Sequence, residues 1–152
     1  MTVDDRVEAI VDRLRDGGGR ATTARRATVR VLLSAGQAHL SAEDVIHQVH
    51  ATNPEVADST VYRTLSALEA LGVVEHVHLG HGPSTYHLSN RPHQHLVCEH
   101  CGAVVEVPDA VFGGLATRIA EEYGFTIDPR HFAILGECRR CRDRRDRSAP
   151  TP

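Results

Sequence analysis

Residues 57–88 read ADSTVYRTLSALEALGVVEHVHLGHGPSTYHL, and this stretch decides the fold. At about 100° per residue, Val61, Leu65 and Leu68 fall on one stripe of a helix running from a cap at Asp58 or Ser59 to Gly72. Ser59, Tyr62, Arg63 and Ser66 point away from that stripe. The periodicity then changes. Val73 to Leu79 and Ser84 to Leu88 are β-like runs joined by Gly80-His81-Gly82-Pro83, the signature of a hairpin.

Upstream, the Ser41 hydroxyl is placed to cap the amide of Asp44, opening a helix with Val45, Ile46 and Val49 that Asn53-Pro54 breaks. Thr23 can cap an earlier helix through about Leu33. Val7, Ile10, Val11 and Leu14 mark a first one, stopped by Gly17 to Gly19. Helices followed by a hairpin are winged-helix grammar. The helix from residue 58 presents Ser59, Thr60, Tyr62 and Arg63 near its N-terminus, side chains suited to a major groove. Arg63 can take guanine O6/N7 and Tyr62 a thymine methyl. Such a face on a lone helix also reads as plain solvated surface; the preceding helix and following hairpin favour DNA. Arg20, Arg25 and Arg26, before or on the second helix, can hold backbone phosphates.

Downstream, Ser89-Asn90-Arg91-Pro92 reads as a hinge, residues 89–92, between domains 1–88 and 93–141. His95 to Cys98 and Ala103 to Val107 read as strands, and Asp109 to Tyr123 as a helix stopped by Gly124. Phe125 to Ile127 and His131 to Leu135 read as further strands. Residues 142–152 are charged and then Ser/Pro-rich, and read as a disordered tail.

Cys98-Glu99-His100-Cys101 and Cys138-Arg139-Arg140-Cys141 are two CxxC knuckles. Each lets two thiolates reach one ion, and together they complete a four-sulfur zinc site with no open position, hence structural. Arg139 and Arg140 favour the thiolate forms. A redox dithiol, the alternative, usually has one CxxC. A β-α-β unit must fold between the pairs.

His93-Gln94-His95 alternates as a strand does, so both imidazoles face one side. With His39 and His87 they can converge across the hinge, Glu106 adding an oxygen. A second set is His76-Val77-His78 with His131. A site drawing on both domains ties metal binding to their relative orientation. Imidazole and carboxylate suit nickel, iron, zinc or manganese, so ligand type alone names none. Taken singly, each histidine is more often a surface or hydrogen-bonded residue, the reading kept for His47, His50 and His81.

Composition narrows the classes. The formal net charge is -3, so any nucleic-acid site is a local patch rather than a general polyanion surface. All 17 basic residues are arginine, which suits bidentate phosphate and guanine contacts and is equally compatible with a genomic base bias. No apolar run approaches the roughly 18 residues that span a bilayer, and the acidic amphipathic start is no signal peptide, so a cytoplasmic protein is expected. Cysteines there read as metal ligands before disulfides. A zinc hydrolase or deaminase with Glu99 or Glu106 as base needs an open zinc position, and no HxE motif accompanies a CxxC. A metal-storage role leaves the groove-reading helix unexplained.

Over about Asp5 to Cys141 the chain resembles the ferric uptake regulator family, through AHLSAEDVIHQV (38–49), ADSTVYRTLSALEALGVV (57–74), HQHLVCEHCGAVVEV (93–107) and GECRRC (136–141). The resemblance implies an α+β protein: an N-terminal winged helix-turn-helix domain and a C-terminal α/β dimerisation domain with a structural zinc. It implies a homodimer that represses from palindromic double-stranded operators, is not an enzyme, and has neither membrane partner nor small-molecule substrate. It also implies that Tyr62 contacts a base and that His39, His93 and His95 occupy sensory-metal positions, with His87 close to another. HVHLGHGPSTYHL (76–88) and RHFAILGEC (130–138) are most similar to the nickel uptake regulator branch, which implies nickel on His76, His78 and His131. Pro92 departs from that branch, where a histidine is expected. Gln94 and Arg130 stand where many relatives carry ligands of a further site. The expectation is one structural zinc and two regulatory sites, for nickel first and iron second, with a peroxide sensor third.

Overall fold

A computed structural model describes residues 2–79, 82–89, 93–127 and 133–148. His81, the hinge residues 90–92, Arg130 and His131 lie outside them. The chain divides into two compact units, Met1–His76 with Ser84–Arg91, and Val77–Pro83 with Pro92–Pro152.

The first unit is helical with a small sheet. Helix α1 (Val3–Asp16) starts from a Thr2 capping box closed by Asp5. Helix α2 (Thr23–Ala35) is capped by Thr22, not Thr23, because it is the Thr22 hydroxyl that accepts from the Arg25 amide. Strand β1 (Leu40–Ser41) leads into α3 (Ala42–His50), where Ser41 accepts from the Asp44 amide at 3.1 Å, as its spacing predicts. Helix α4 (Asp58–Ala70) starts after Ala57 with no side-chain cap, so neither Asp58 nor Ser59 plays that part. Strands β2 (Val74–His78) and β3 (Ser84–Leu88) form the hairpin, and the sheet order is β1-β3-β2.

Val7, Val11, Leu14, Val29, Val45, Val49, Val61, Leu65, Leu68 and Val74 are buried in one core. The apolar stripe of each helix faces that core, which is why the 3.6-residue period is so plain in the sequence. Thr28 and Thr64 are buried too, and each hydroxyl donates to the carbonyl four residues back, at 2.9 and 2.8 Å. Val77 is fully buried but belongs to no part of this core. The second half of β2 groups with the second unit.

The second unit holds β4 (His93–Cys98), β5 (Val104–Pro108), α5 (Ala110–Tyr123), β6 (Ala133–Gly136) and α6 (Arg139–Ser148). Its sheet order is β5-β4-β6, with β4 antiparallel to β5 and parallel to β6. Gly124 ends α5 in the left-handed conformation, at φ +63°. The β-α-β unit expected between the two CxxC pairs is present. Two expectations fail. Phe125 to Ile127 forms no strand. The segment from Arg142 through Ser148 is helical, because the second knuckle starts a helix with Cys141 and Arg142 amides on the Cys138 carbonyl, and Arg145 is held by Glu137 at 2.8 Å. Residues 149–152 lie outside the described residues.

Candidate nucleic-acid interface and metal centres

Helices α3 and α4 pack on one another and α2, and the buried Val61, Leu65 and Leu68 fix which face of α4 turns outward. Ser59, Tyr62, Arg63 and Ser66 are exposed along it, as the periodicity predicts, with Thr60 half-buried. The Tyr62 hydroxyl donates to Glu43 of α3 at 3.4 Å, and the negative Glu43 raises the phenol above its ordinary pKa, so it stays a neutral donor. Arg63 reaches only the Ser59 and Thr60 hydroxyls, at 3.4 and 3.5 Å, long contacts that leave its guanidinium easily redirected.

A depression of about 330 Å³ beside α4 is lined by Gly19, Arg20, Thr22, Arg25, Thr60 and Arg63, among others. Three arginines thus line one depression large enough for a phosphate-sized anion. Gly19 is needed there: a Cβ on it would stand 2.7 Å from the Leu14 backbone carbonyl and would also displace the Arg25 guanidinium, which donates to the Arg20 carbonyl. Arg26 is different. Glu8 of α1 holds it through two bonds of 2.8 and 2.9 Å, so structure employs it in joining α1 to α2.

The four cysteines come together in the second unit. The parallel ladder sets Cys98 opposite Gly136, two residues before Cys138. The first knuckle closes by the Gly102 amide donating to the Cys98 carbonyl, with Gly102 at φ +68°, where glycine is unstrained. All four Sγ atoms lie within 4.8 Å of one another, and Cys101 and Cys138 are 3.7 Å apart. Zinc–sulfur bonds of about 2.3 Å in a tetrahedron place sulfurs about 3.8 Å apart, so the residues fit zinc. The Cys138 amide donates to the Cys98 sulfur and holds that thiol down at about 6. Cys101 is lowered first by the Ala103 amide and then by Arg140, whereas burial pushes Cys141 up to about 12. Backbone amides therefore outweigh the arginines expected to activate these thiols. Zinc would hold the four sulfurs together and neutralise their repulsion. Glu137 stands beside them, bridging His100 at 3.6 Å and Arg145.

The histidines fall into local pairs. The β1–β3 register matches Leu40 with Tyr86, so His39 comes opposite His87, and their rings are 4.7 Å apart. His93 and His95 share one face of β4, rings also 4.7 Å apart, and Glu106 pairs with His95 across the β4–β5 ladder. Gln94 points to the other face and donates to Asp109 at 2.7 Å. His76 and His78 fall on one face of β2, and the Nδ1 of His76 is hydrogen-bonded to the carboxylate of Glu69 on α4.

A model of the ferric uptake regulator family matches residues 16–134. The chain belongs to that family. Family members are transcriptional regulators rather than enzymes. The ferric uptake regulation protein of Bacillus subtilis is 38% identical over 143 residues, covering 91% of this chain and 96% of that one. Among solved structures, the Helicobacter pylori ferric uptake regulator, described with three functional metal binding sites, aligns at TM-score 0.71 and 25% identity over 90% of this chain and 93% of its own. The Pseudomonas aeruginosa regulator with manganese aligns at 0.65 and 31%, over 84% and 96%. The sequence reading of a metal-binding regulator with this fold thereby stands at family level. It missed Glu69, Glu8 and Glu137, carboxylates whose partners are remote in the chain or on another element. Only Glu69 left a trace, lying seven residues after Tyr62 on the same helical face.

Proposed function

We propose that this protein is a cytoplasmic, homodimeric, DNA-binding repressor of metal-uptake or homeostasis genes, and that its regulatory metal is nickel. The observation that carries the regulator reading is the outward face of α4, with Ser59, Tyr62 and Arg63 exposed behind α3 and Arg20 and Arg25 beside them. These residues, with Thr60, contact operator DNA; Arg26 supports the interface through Glu8. Cys98, Cys101, Cys138 and Cys141 hold a structural zinc. Val105, Val111 and Leu115 are 50%, 64% and 48% exposed on β5 and α5, an apolar surface suited to a second copy of the chain. Among the described residues no helix is long and apolar enough to cross a membrane.

Nickel is assigned to His76, His78 and His131, and a second regulatory site to His39, His87, His93 and His95 with Glu106. The support is chemical: imidazole-rich sets suit a divalent first-row ion. Ligands drawn from both units make their orientation depend on metal occupancy. A homodimer in the right orientation offers its two α4 helices to successive major grooves, about 34 Å apart. Iron is the second reading, favoured by the similarity to ferric uptake regulation proteins and by the four-histidine set.

The test is binding to a palindromic AT-rich operator while Ni, Fe(II), Zn or Mn is titrated onto protein already holding its structural zinc. Tight binding at low free nickel, but not at matched iron or manganese, is expected. An unchanged nickel response in a His76→Ala/His131→Ala double variant would overturn the nickel assignment.

A further inference from the structure

Glu69 is a carboxylate on α4 that the DNA-facing reading of that helix does not use. Its place is set by the helical period: Tyr62, Ser66 and Glu69 are spaced four and three residues apart and share one face. The groove-facing row therefore ends, about 10 Å along the axis from Tyr62, in an acid. That acid grips His76, the first histidine of β2. Both side chains are partly shielded, 31% and 28% exposed, so water competes weakly for the bond. Tyr86 of β3 flanks the pair, its ring 6.2 Å from that of His76, and its phenol is raised by burial first and by Glu69 next.

The chemistry of the contact is specific. An imidazole that donates its Nδ1 proton to a carboxylate carries its remaining lone pair on Nε2, and its ring can no longer turn freely. A carboxylate behind a ligand histidine also makes the ligand nitrogen a better donor to a metal. Here that carboxylate belongs to the DNA-reading helix itself.

We propose that Glu69 is a positioning residue that selects the Nε2-donor form of His76 and links the metal site of the hairpin directly to α4. The inference rests on the reading of His76 as a metal ligand. Any displacement of the His76 ring on binding metal pulls on Glu69, two turns along the helix from Tyr62, with no loop between.

Three measurements on the full-length, zinc-loaded protein test it. In metal-free protein, ¹⁵N shifts of His76 are expected to report the Nδ1–H form, and in Glu69→Ala a mixture of forms. Nickel titration calorimetry is expected to show an affinity 10- to 100-fold weaker in Glu69→Ala, with Glu69→Gln, which keeps an acceptor but not the charge, falling between. The ratio of operator affinities with and without nickel is expected to shrink in Glu69→Ala while metal-free operator affinity stays within twofold. Nickel affinity within twofold of the parent in Glu69→Ala, alongside its loss in His76→Ala, overturns the role of Glu69 and leaves the metal site standing. Unaltered nickel binding in His76→Ala overturns the ligand reading and this inference together. Circular dichroism of each variant separates these outcomes from misfolding.

Discussion

Arginines 63 and 26 lie on neighbouring helices of one unit, yet their environments predict opposite consequences of truncation. Arg63 is exposed and held only by contacts of 3.4 and 3.5 Å to hydroxyls, so redirecting it toward a base edge sacrifices little. Arg63→Ala should cost about 1–3 kcal/mol of operator binding, roughly a 5- to 150-fold loss, and nearly nothing in stability. Arg26 already spends its guanidinium on Glu8, at 2.8 and 2.9 Å, and on the Ala21 carbonyl at 3.2 Å. The pair is 38% and 51% exposed, so solvent screening limits its worth to about 0.2–1 kcal/mol of stability. Arg26→Ala should therefore lower the urea midpoint slightly and weaken DNA binding less than Arg63→Ala does. Fluorescence anisotropy on the operator and a scrambled duplex, at two salt concentrations, measures both. A loss confined to the operator marks Arg63 as a base reader, whereas equal losses on both duplexes would make it a phosphate contact. A larger DNA defect in Arg26→Ala than in Arg63→Ala would refute the reasoning.

Removing zinc with a chelator, or replacing Cys101 by Ser, should abolish zinc retention and unfold the second unit while the first keeps its helical signal; a residual cooperative melt of that helical signal in the zinc-free protein would show this, and its complete loss would contradict it. Leu115→Glu puts a charge on the exposed apolar face of α5 and should convert the dimer to monomer in sedimentation, with little loss of monomer stability. Asp44 is held below its ordinary 3.8 by bonds from the Ser41 hydroxyl and then the Ser41 amide. A depressed carboxyl stabilises fully above the unfolded pKa and progressively less as pH falls through the folded one. The stability gap between the parent and Asp44→Asn should thus be constant at neutral pH and close below about pH 3.8. Ser41→Ala should cost about 1 kcal/mol in denaturant titration at pH 7.

Local physics made much of this protein legible from its residues. The stripe Val61, Leu65, Leu68 becomes the buried side of α4 because a helix repeats every 3.6 residues whatever surrounds it. The Ser41 cap on Asp44 and the stop at Gly124 depend on three or four adjacent residues, and both are found where expected. The CxxC knuckles are equally local, and their number alone pointed to one four-sulfur centre. The placing of the Thr22 cap and the uncapped start of α4 fell within a residue of expectation, since neighbouring polar residues compete for the same amides.

Tertiary structure decided what depends on distant partners. The charge-rich segment after Cys141 has the composition of a disordered tail, yet it is helical because a knuckle amide pattern starts the helix and Glu137 holds Arg145. The Cys98 thiol is lowered to about 6 by the amide of Cys138, forty residues on, a donor that no neighbouring sequence reveals. Arg26 looked as available for DNA as Arg25 until Glu8, eighteen residues earlier, was found to occupy it. His39 meets His87 only through the register of β1 on β3, and His76 meets Glu69 only through the packing of a strand beside a helix. Side-chain type and spacing specify which residues can bind a metal or a base. Which of them are already committed to another residue is settled by contacts between segments that are remote along the chain, and those arise only when the chain is folded.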